Sequence, residues 1–151
     1  MSDLIVPIPA VNAAIFNSRG EILLTRRSAK VREPGKWVLP GGHVEKGEGW
    51  AVANSREVQE ETGLQVVTQT LMGLYSDPKV TVTAEVLAGG FRGQFVVVVY
   101  RVTAFTGEVN PNDEVDHWGW FGPGILPAPM LQSHPARVRD AFGFAGKVYL
   151  R

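Results

Sequence analysis

The sequence contains no cysteine, which excludes disulfides, thiol nucleophiles and cysteine-based zinc sites. Lysine and arginine number 15, and aspartate and glutamate also number 15, so the basic excess typical of nucleic-acid-binding proteins is lacking. The longest wholly apolar run covers residues 95–100, far too short to cross a bilayer. The first eleven residues include an aspartate and two prolines, unlike a signal peptide. These absences predict a cytoplasmic protein that binds neither membranes nor nucleic acid.

The 151 residues, 44% of them hydrophobic, can form one domain with its own core, so we expect a single domain over residues 1–151. Apolar patterning predicts strands over residues 6–16, 21–27, 37–39, 64–75, 80–86, 95–102 and 115–121. The first two strands are expected to form a hairpin, residues 88–90 a turn, and residues 95–102 a central strand buried on both faces. Helices are predicted over Trp50–Thr62 and residues 135–142. The pattern indicates an α/β fold, with a mixed sheet and helices on its faces.

The first helix carries an unusual cluster of acidic residues. Glu57, Glu60 and Glu61 stand at positions i, i+3 and i+4, so their side chains share one arc of the helix. Mutual repulsion, and the negative end of the helix dipole nearby, make this arrangement unfavourable for folding alone. One interpretation is a solvated acidic face that Arg56 partly compensates. The other is a site for Mg²⁺ or Mn²⁺, which prefer carboxylate oxygens.

A longer pattern around this helix favours the metal site. Counting from a glycine, the segment has the form G-x5-E-x7-R-E-U-x-E-E-x-G-U, in which U is aliphatic. The matching residues are Gly42, Glu48, Arg56, Glu57, Val58, Glu60, Glu61, Gly63 and Leu64. This segment resembles the Nudix box at every fixed position.

The resemblance implies a Nudix-type α/β/α sandwich, with the box helix on one face of a mixed sheet and a C-terminal helix. It implies a pyrophosphohydrolase that requires Mg²⁺, which Mn²⁺ could replace. Glu57, Glu60 and Glu61 would be catalytic residues and metal ligands. Gly42 would also lie at the metal.

Arg56 would complete the catalytic set by pairing with a carboxylate of the box, either Glu48 or Glu57. Gly41 and Gly42 would let the backbone approach the metal and the substrate phosphates closely. The three histidines are too scattered along the chain to suggest a histidine metal site, and we expect structural or surface roles for them.

Outside the box, Arg26 and Arg27 are candidates for binding substrate phosphates, because arginine matches phosphate oxygens well. A solvated basic loop is the alternative. Members of the family often place a glutamate before the strand predicted over residues 115–121, as an extra metal ligand or a proton acceptor. Glu114 is the corresponding candidate here, with an ordinary loop acid as the alternative.

The sequence indicates the substrate class less clearly than it indicates the metal site. Pro78 lies 15 residues after Gly63, as in small ADP-ribose pyrophosphatase-like members, which implies ADP-ribose or a nucleoside diphosphate sugar. Arg26 and Arg27 ahead of Pro-Gly-Gly also resemble enzymes that hydrolyse oxidised nucleoside triphosphates. The resemblance to coenzyme A pyrophosphatases is partial, since the spacing and Leu39 depart from their pattern. A nucleotide-binding module without turnover is a further alternative, and the family resemblance allows a homodimer.

Overall fold

The computed structural model describes residues 4–83 and 91–151 of the chain. Its strands and helices alternate along the sequence. In chain order they are β1 (Leu4–Ile15), β2 (Ile22–Arg27), β3 (Trp37–Val38), β4 (Gly41–His43), α1 (Trp50–Thr62), β5 (Gln65–Tyr75), α2 (Pro78–Thr81), β6 (Phe91–Thr106), β7 (Val115–Phe121), α3 (His134–Gly143) and β8 (Tyr149–Leu150).

The strands form two sheets. A five-stranded sheet has the order β4-β1-β6-β5-β8, and a three-stranded sheet has the order β3-β2-β7. The larger sheet is mixed, because β1 and β6 pair in parallel while β4 and β5 run antiparallel to their neighbours. Strand β6 lies at its centre, as the unbroken apolar run predicts.

Two buried clusters cover opposite faces of the larger sheet. Successive residues of β1 point to opposite faces: Ala14 belongs to the cluster that contains Val138 of α3, and Ile15 to the cluster that contains Val58 of α1. The box helix and the C-terminal helix therefore lie on opposite sides of the sheet, which confirms the α/β/α sandwich.

The expected hairpin between the first two strands is wrong. Strand β1 pairs with β4 and β6, whereas β2 pairs with β3 and β7. Within the described residues, a single bridge between Phe16 and Ile22 joins the two segments. Both strands are paired on two sides, and β2 and the second half of β1 are mostly buried, so their apolar content reflects membership of two separate sheets.

The strand expected over residues 80–86 is also wrong where it can be tested. Residues 78–81 form the short helix α2, which Asp77 caps by accepting a hydrogen bond from the Lys79 amide. Val82 then bridges to Gln94. Residues 84–86, and the turn expected at 88–90, lie outside the described residues.

Helix α1 has the predicted bounds, and Gly63 ends it in the left-handed conformation, with φ of 76°. Its buried face differs in part from the expected one, because Ala53 and Asn54 are buried and Ala51 is exposed. The Asn54 side-chain nitrogen donates to Gln69 on β5, which satisfies that half of the buried amide. In the parts of the chain that the structure describes, none of the helices has the length and apolarity of a membrane span.

Candidate active site

A cleft of about 980 Å³ is lined by the Gly41–Gly42 segment, by α1 and by strands of both sheets. It collects side chains from elements far apart in the sequence. The lining residues include Asn12 from β1, Arg27 from β2, Gly41 and Gly42 from β4, Arg56, Glu57, Glu60 and Glu61 from α1, Phe95 from β6, Glu114 from the loop before β7, and His134 and Arg137 from α3.

Arg56 holds the loop before α1 onto the helix. Its guanidinium donates to both oxygens of Glu48, at 2.6 and 2.9 Å, and to Glu57 Oε1 at 2.9 Å. It also reaches Glu60 Oε2 at 3.2 Å and the His43 carbonyl at 3.0 Å. The hydrogen bond from Arg56 holds the pKa of Glu48 below its usual value. Arg56 therefore pairs with both of the carboxylates that the sequence offered as alternatives, Glu48 and Glu57.

Gly42 leaves room for the Glu57 carboxylate. A Cβ at residue 42 would overlap the Glu57 carboxylate, which lies directly against the backbone there. Burial is the main reason that the pKa of Glu57 is raised, although its bond to Arg56 opposes the rise. The glycine therefore lets the backbone of β4 and a helix carboxylate meet closely, as the sequence indicates.

Glu61 is held next to Glu57 by the neighbouring glycine. The Gly41 amide donates to Glu61 Oε2 at 3.0 Å. Burial raises the pKa of Glu61 to about 8, and repulsion from Glu57 and Glu114 acts in the same direction. Arg27 acts in the opposite direction but does not cancel the rise, so ionising Glu61 beside Glu57 and Glu114 is unfavourable in the metal-free site.

Glu114 lines the same cleft as these carboxylates and comes from the loop before β7 of the smaller sheet. Its backbone carbonyl accepts from the Ser28 amide at 2.9 Å, and Ser28 Oγ donates to the Asp113 carbonyl at 2.7 Å. These bonds attach the loop before β7 to the end of β2. Glu114 is exposed, lines the cleft and contributes to the raised pKa of both Glu57 and Glu61.

The donor set fits a hard divalent cation. Glu57, Glu61 and Glu114 repel one another, and a cation between them would relieve that repulsion. Within residues 4–83 and 91–151, no three acidic, histidine or cysteine side chains are grouped so that they could hold a metal ion by themselves. Magnesium commonly takes only one or two carboxylates and completes its shell with water and substrate phosphates, so a complete protein cage is not required.

The two arginines proposed to bind phosphates are separated by the structure. Arg27 lines the cleft, and nearby Glu61 opposes the fall in pKa that burial causes. Arg26 points to the other face of β2 and pairs with Asp116 Oδ1 at 2.7 Å and His117 Nδ1 at 2.9 Å. Adjacent strand residues face opposite sides, so both could not enter one cleft. Arg26 is not among the cleft residues.

Sequence reasoning missed Arg137, which is buried in the cleft wall. The signal was present in α3, where His134, Arg137, Val138 and Ala141 fall on one face at helical spacing. Two polar residues in an otherwise apolar stripe indicate buried polar groups. His134 Nδ1 accepts from the Leu39 amide at 3.0 Å, so that histidine has the structural role expected.

Comparison with known proteins agrees with this geometry. Residues 6–142 match the NUDIX domain model. An ADP-ribose pyrophosphatase from Methanocaldococcus jannaschii is 31% identical over 89% of this chain and 72% of its own length. An RNA pyrophosphohydrolase from Roseobacter denitrificans is 28% identical over 89% of this chain and 90% of its own.

Among solved structures, a MutT NUDIX hydrolase from Burkholderia pseudomallei superposes with a TM-score of 0.73 and 31% identity, covering 89% of this chain and 98% of its own. Members of this family generally require a divalent metal. The family match and the intact carboxylate cluster lead to one assignment: this chain belongs to the NUDIX family and is a hydrolase of pyrophosphate bonds.

Proposed function

We propose that the protein, acting as one domain, uses Mg²⁺ to hydrolyse the pyrophosphate bond of a nucleoside diphosphate linked to another group. ADP-ribose and nucleoside diphosphate sugars represent this class. The observation that carries the proposal is the meeting of Glu57, Glu60, Glu61 and Glu114 with Arg27 in one cleft. The 31% identity with an ADP-ribose pyrophosphatase supports the substrate class.

The carboxylates divide into those that hold the metal and one that moves a proton. Glu57, Glu60 and Glu61, with the backbone at Gly42, would hold the cation. A divalent cation there would neutralise phosphate oxygens and acidify water at the site. Glu114 reaches the cleft from the loop before β7 and has no ion-pair partner within the described part of the chain, so it could accept a proton from the attacking water. The water oxygen bonds to phosphorus as the bridging oxygen leaves.

The positively charged residues would orient the diphosphate. Arg27 lines the cleft and interacts electrostatically with Glu61, so its guanidinium could donate to phosphate oxygens there. Arg56 already uses its donors on Glu48, Glu57 and Glu60, so its role is to fix the glutamates. A binding module without turnover would have no need for this positioning network.

A nucleoside triphosphate is the second candidate substrate. Arg32 also lines the cleft, so Arg27 and Arg32 together could meet the larger charge of a triphosphate. Mn²⁺ could replace Mg²⁺ in either reaction, because both favour oxygen ligands.

Product analysis distinguishes these possibilities. Purified protein would be incubated with Mg²⁺ and ADP-ribose, nucleoside diphosphate glucoses, GTP, oxidised dGTP or coenzyme A, and the products identified by mass spectrometry. The proposal expects a nucleoside monophosphate and a sugar phosphate from the diphosphate derivatives. Release of pyrophosphate from triphosphates alone would favour the second candidate. Binding of these nucleotides without product would indicate a binding module.

A further inference from the structure

Arg137 is a buried guanidinium whose hydrogen-bonding capacity is only partly used. Its side chain is 4% exposed, and the residue belongs to the cleft wall. Nη1 donates to Asn12 Oδ1 at 2.8 Å and lies 3.5 Å from His134 Nε2. Neither Nε, which is buried, nor Nη2 has a hydrogen-bond partner in the described part of the chain.

The charge of Arg137 is also left without a carboxylate. Asp140, one turn further along α3, accepts instead from Tyr75 Oη at 2.7 Å and from Arg151 at 2.8 and 3.1 Å. The Arg137 guanidinium lies over the Tyr75 ring, 5.4 Å from its centroid. Burial without a counter-ion lowers the pKa of Arg137 to about 10, so it keeps its proton at neutral pH.

A buried cation with unused donors is costly for stability unless a ligand completes it. We propose that Arg137 recognises the base of the nucleotide substrate and selects a base edge composed of hydrogen-bond acceptors, such as O6 and N7 of guanine. This inference rests on the proposed function, whose substrate class it narrows. Guanine nucleotides would be better substrates than adenine nucleotides, including ADP-ribose.

The surroundings of Arg137 suit a base better than a phosphate. Asn12 is paired with Gly41, so Arg137 is connected to the metal-binding glutamates through one strand pair. Phe95 and Val97 supply apolar wall that can cover the faces of a planar base. Arg27 and Arg32 also line the cleft and are available to phosphates, so Arg137 is not needed for that role.

The choice between bases follows from donors and acceptors. Arginine carries donors only, and guanine presents two adjacent acceptors, O6 and N7, that an Nη2 hydrogen and the second Nη1 hydrogen can reach together. Adenine presents N7 beside its N6 amino group, so one N–H donor of Arg137 would point at another N–H donor. Such a difference corresponds to a preference of about tenfold or more.

The test compares GDP-glucose with ADP-glucose, which differ only in the base. We expect kcat/KM to favour GDP-glucose by about tenfold or more, and Arg137→Met to reduce that ratio to within about threefold. Arg139→Met, on the exposed side of the same helix, is the matched control and should leave the ratio unchanged. Because the ratio is internal to each preparation, a partly unfolded fraction does not change it. Arg137→Lys, which keeps the charge without the paired donors, serves if the methionine variant fails to fold.

Binding of GMP and AMP to chelator-treated protein, by calorimetry, tests the base preference without turnover. If no diphosphate sugar is hydrolysed but GMP binds more tightly than AMP, the proposed function fails and the role of Arg137 stands. The inference is overturned if the parent protein binds and hydrolyses both bases equally or prefers adenine. It is also overturned if Arg137→Met weakens both nucleotides by the same factor, as expected for a phosphate-binding or purely structural arginine.

Discussion

Replacing Glu61 with glutamine should make the metal-free protein more stable at high pH. Glu61 has a pKa of about 8 in the folded protein, mainly because it is buried, against an ordinary value of 4.5. Below pH 4.5 the side chain is protonated in both the folded and the unfolded state. As the pH rises towards 8, only the unfolded state gains by losing the proton, so the parent protein loses stability through that interval.

The structure sets the size of the effect. At about 1.4 kcal/mol per pH unit, the difference between 4.5 and about 8 gives a ceiling of about 5 kcal/mol. Water that enters the open cleft stabilises part of the ionised form, so we expect about 2 kcal/mol. Glutamine stays neutral and can still accept the hydrogen bond from the Gly41 amide, so Glu61→Gln should escape this loss.

Urea unfolding of chelator-treated protein at pH 5 and pH 9 measures the difference. Glu61→Gln should match the parent at pH 5 and exceed it at pH 9, and Glu108→Gln, at an exposed glutamate outside the cleft, is the control. Magnesium should then stabilise the parent more at pH 9 than at pH 5. Equal stability of parent and Glu61→Gln at both pH values would refute the reasoning.

Three further variants test other parts of the site. Arg56→Ala should abolish most activity and lower Tm by about 5 °C, because Glu48 and Glu57 lose their shared partner; an unchanged melting curve would contradict this. Glu114→Gln should lower kcat by about 10²–10⁴ with KM similar, and partial recovery at high Mg²⁺ would identify a metal ligand instead. A kcat unchanged in steady-state assays would leave Glu114 as an ordinary loop acid. Arg27→Ala should raise KM by about tenfold or more, while Arg26→Ala, whose partner Asp116 lies outside the cleft, should change it little; equal effects in the same kinetics would argue against phosphate binding by Arg27.

The sequence was sufficient to predict the parts of the fold that depend on local periodicity and capping. Helix α1 lies between Gly49 and Gly63 as predicted, since the change from strand to helical spacing and the terminal glycine are local signals. The spacing of the box glutamates likewise located the carboxylate cluster. The pairing of β1 with β6 was not predictable in the same way, because it joins residues 87 positions apart and no local pattern specifies the partner.

The errors in the site have the same origin. The sequence alone does not distinguish Arg26 from Arg27 as a phosphate ligand. Which of them faces the cleft depends on the register of β2 against β7. Arg137 was missed because its importance depends on Asp140 being taken by Arg151, a contact near the chain's end that α3 alone does not reveal. An unpaired charge such as that of Arg137 can be recognised only when the partners of the surrounding residues are known.

The most direct test is whether Mg²⁺-dependent cleavage depends on the carboxylates of α1. Mass spectrometry would follow the products from ADP-ribose and GDP-glucose for the parent, Glu60→Gln and Glu61→Gln, with Mg²⁺ or with excess chelator. We expect two monophosphate products from the parent only when Mg²⁺ is present, and a loss of about 10²-fold or more in kcat for each folded variant. Full activity in chelator, or turnover within about threefold of the parent for both variants, would contradict the assignment.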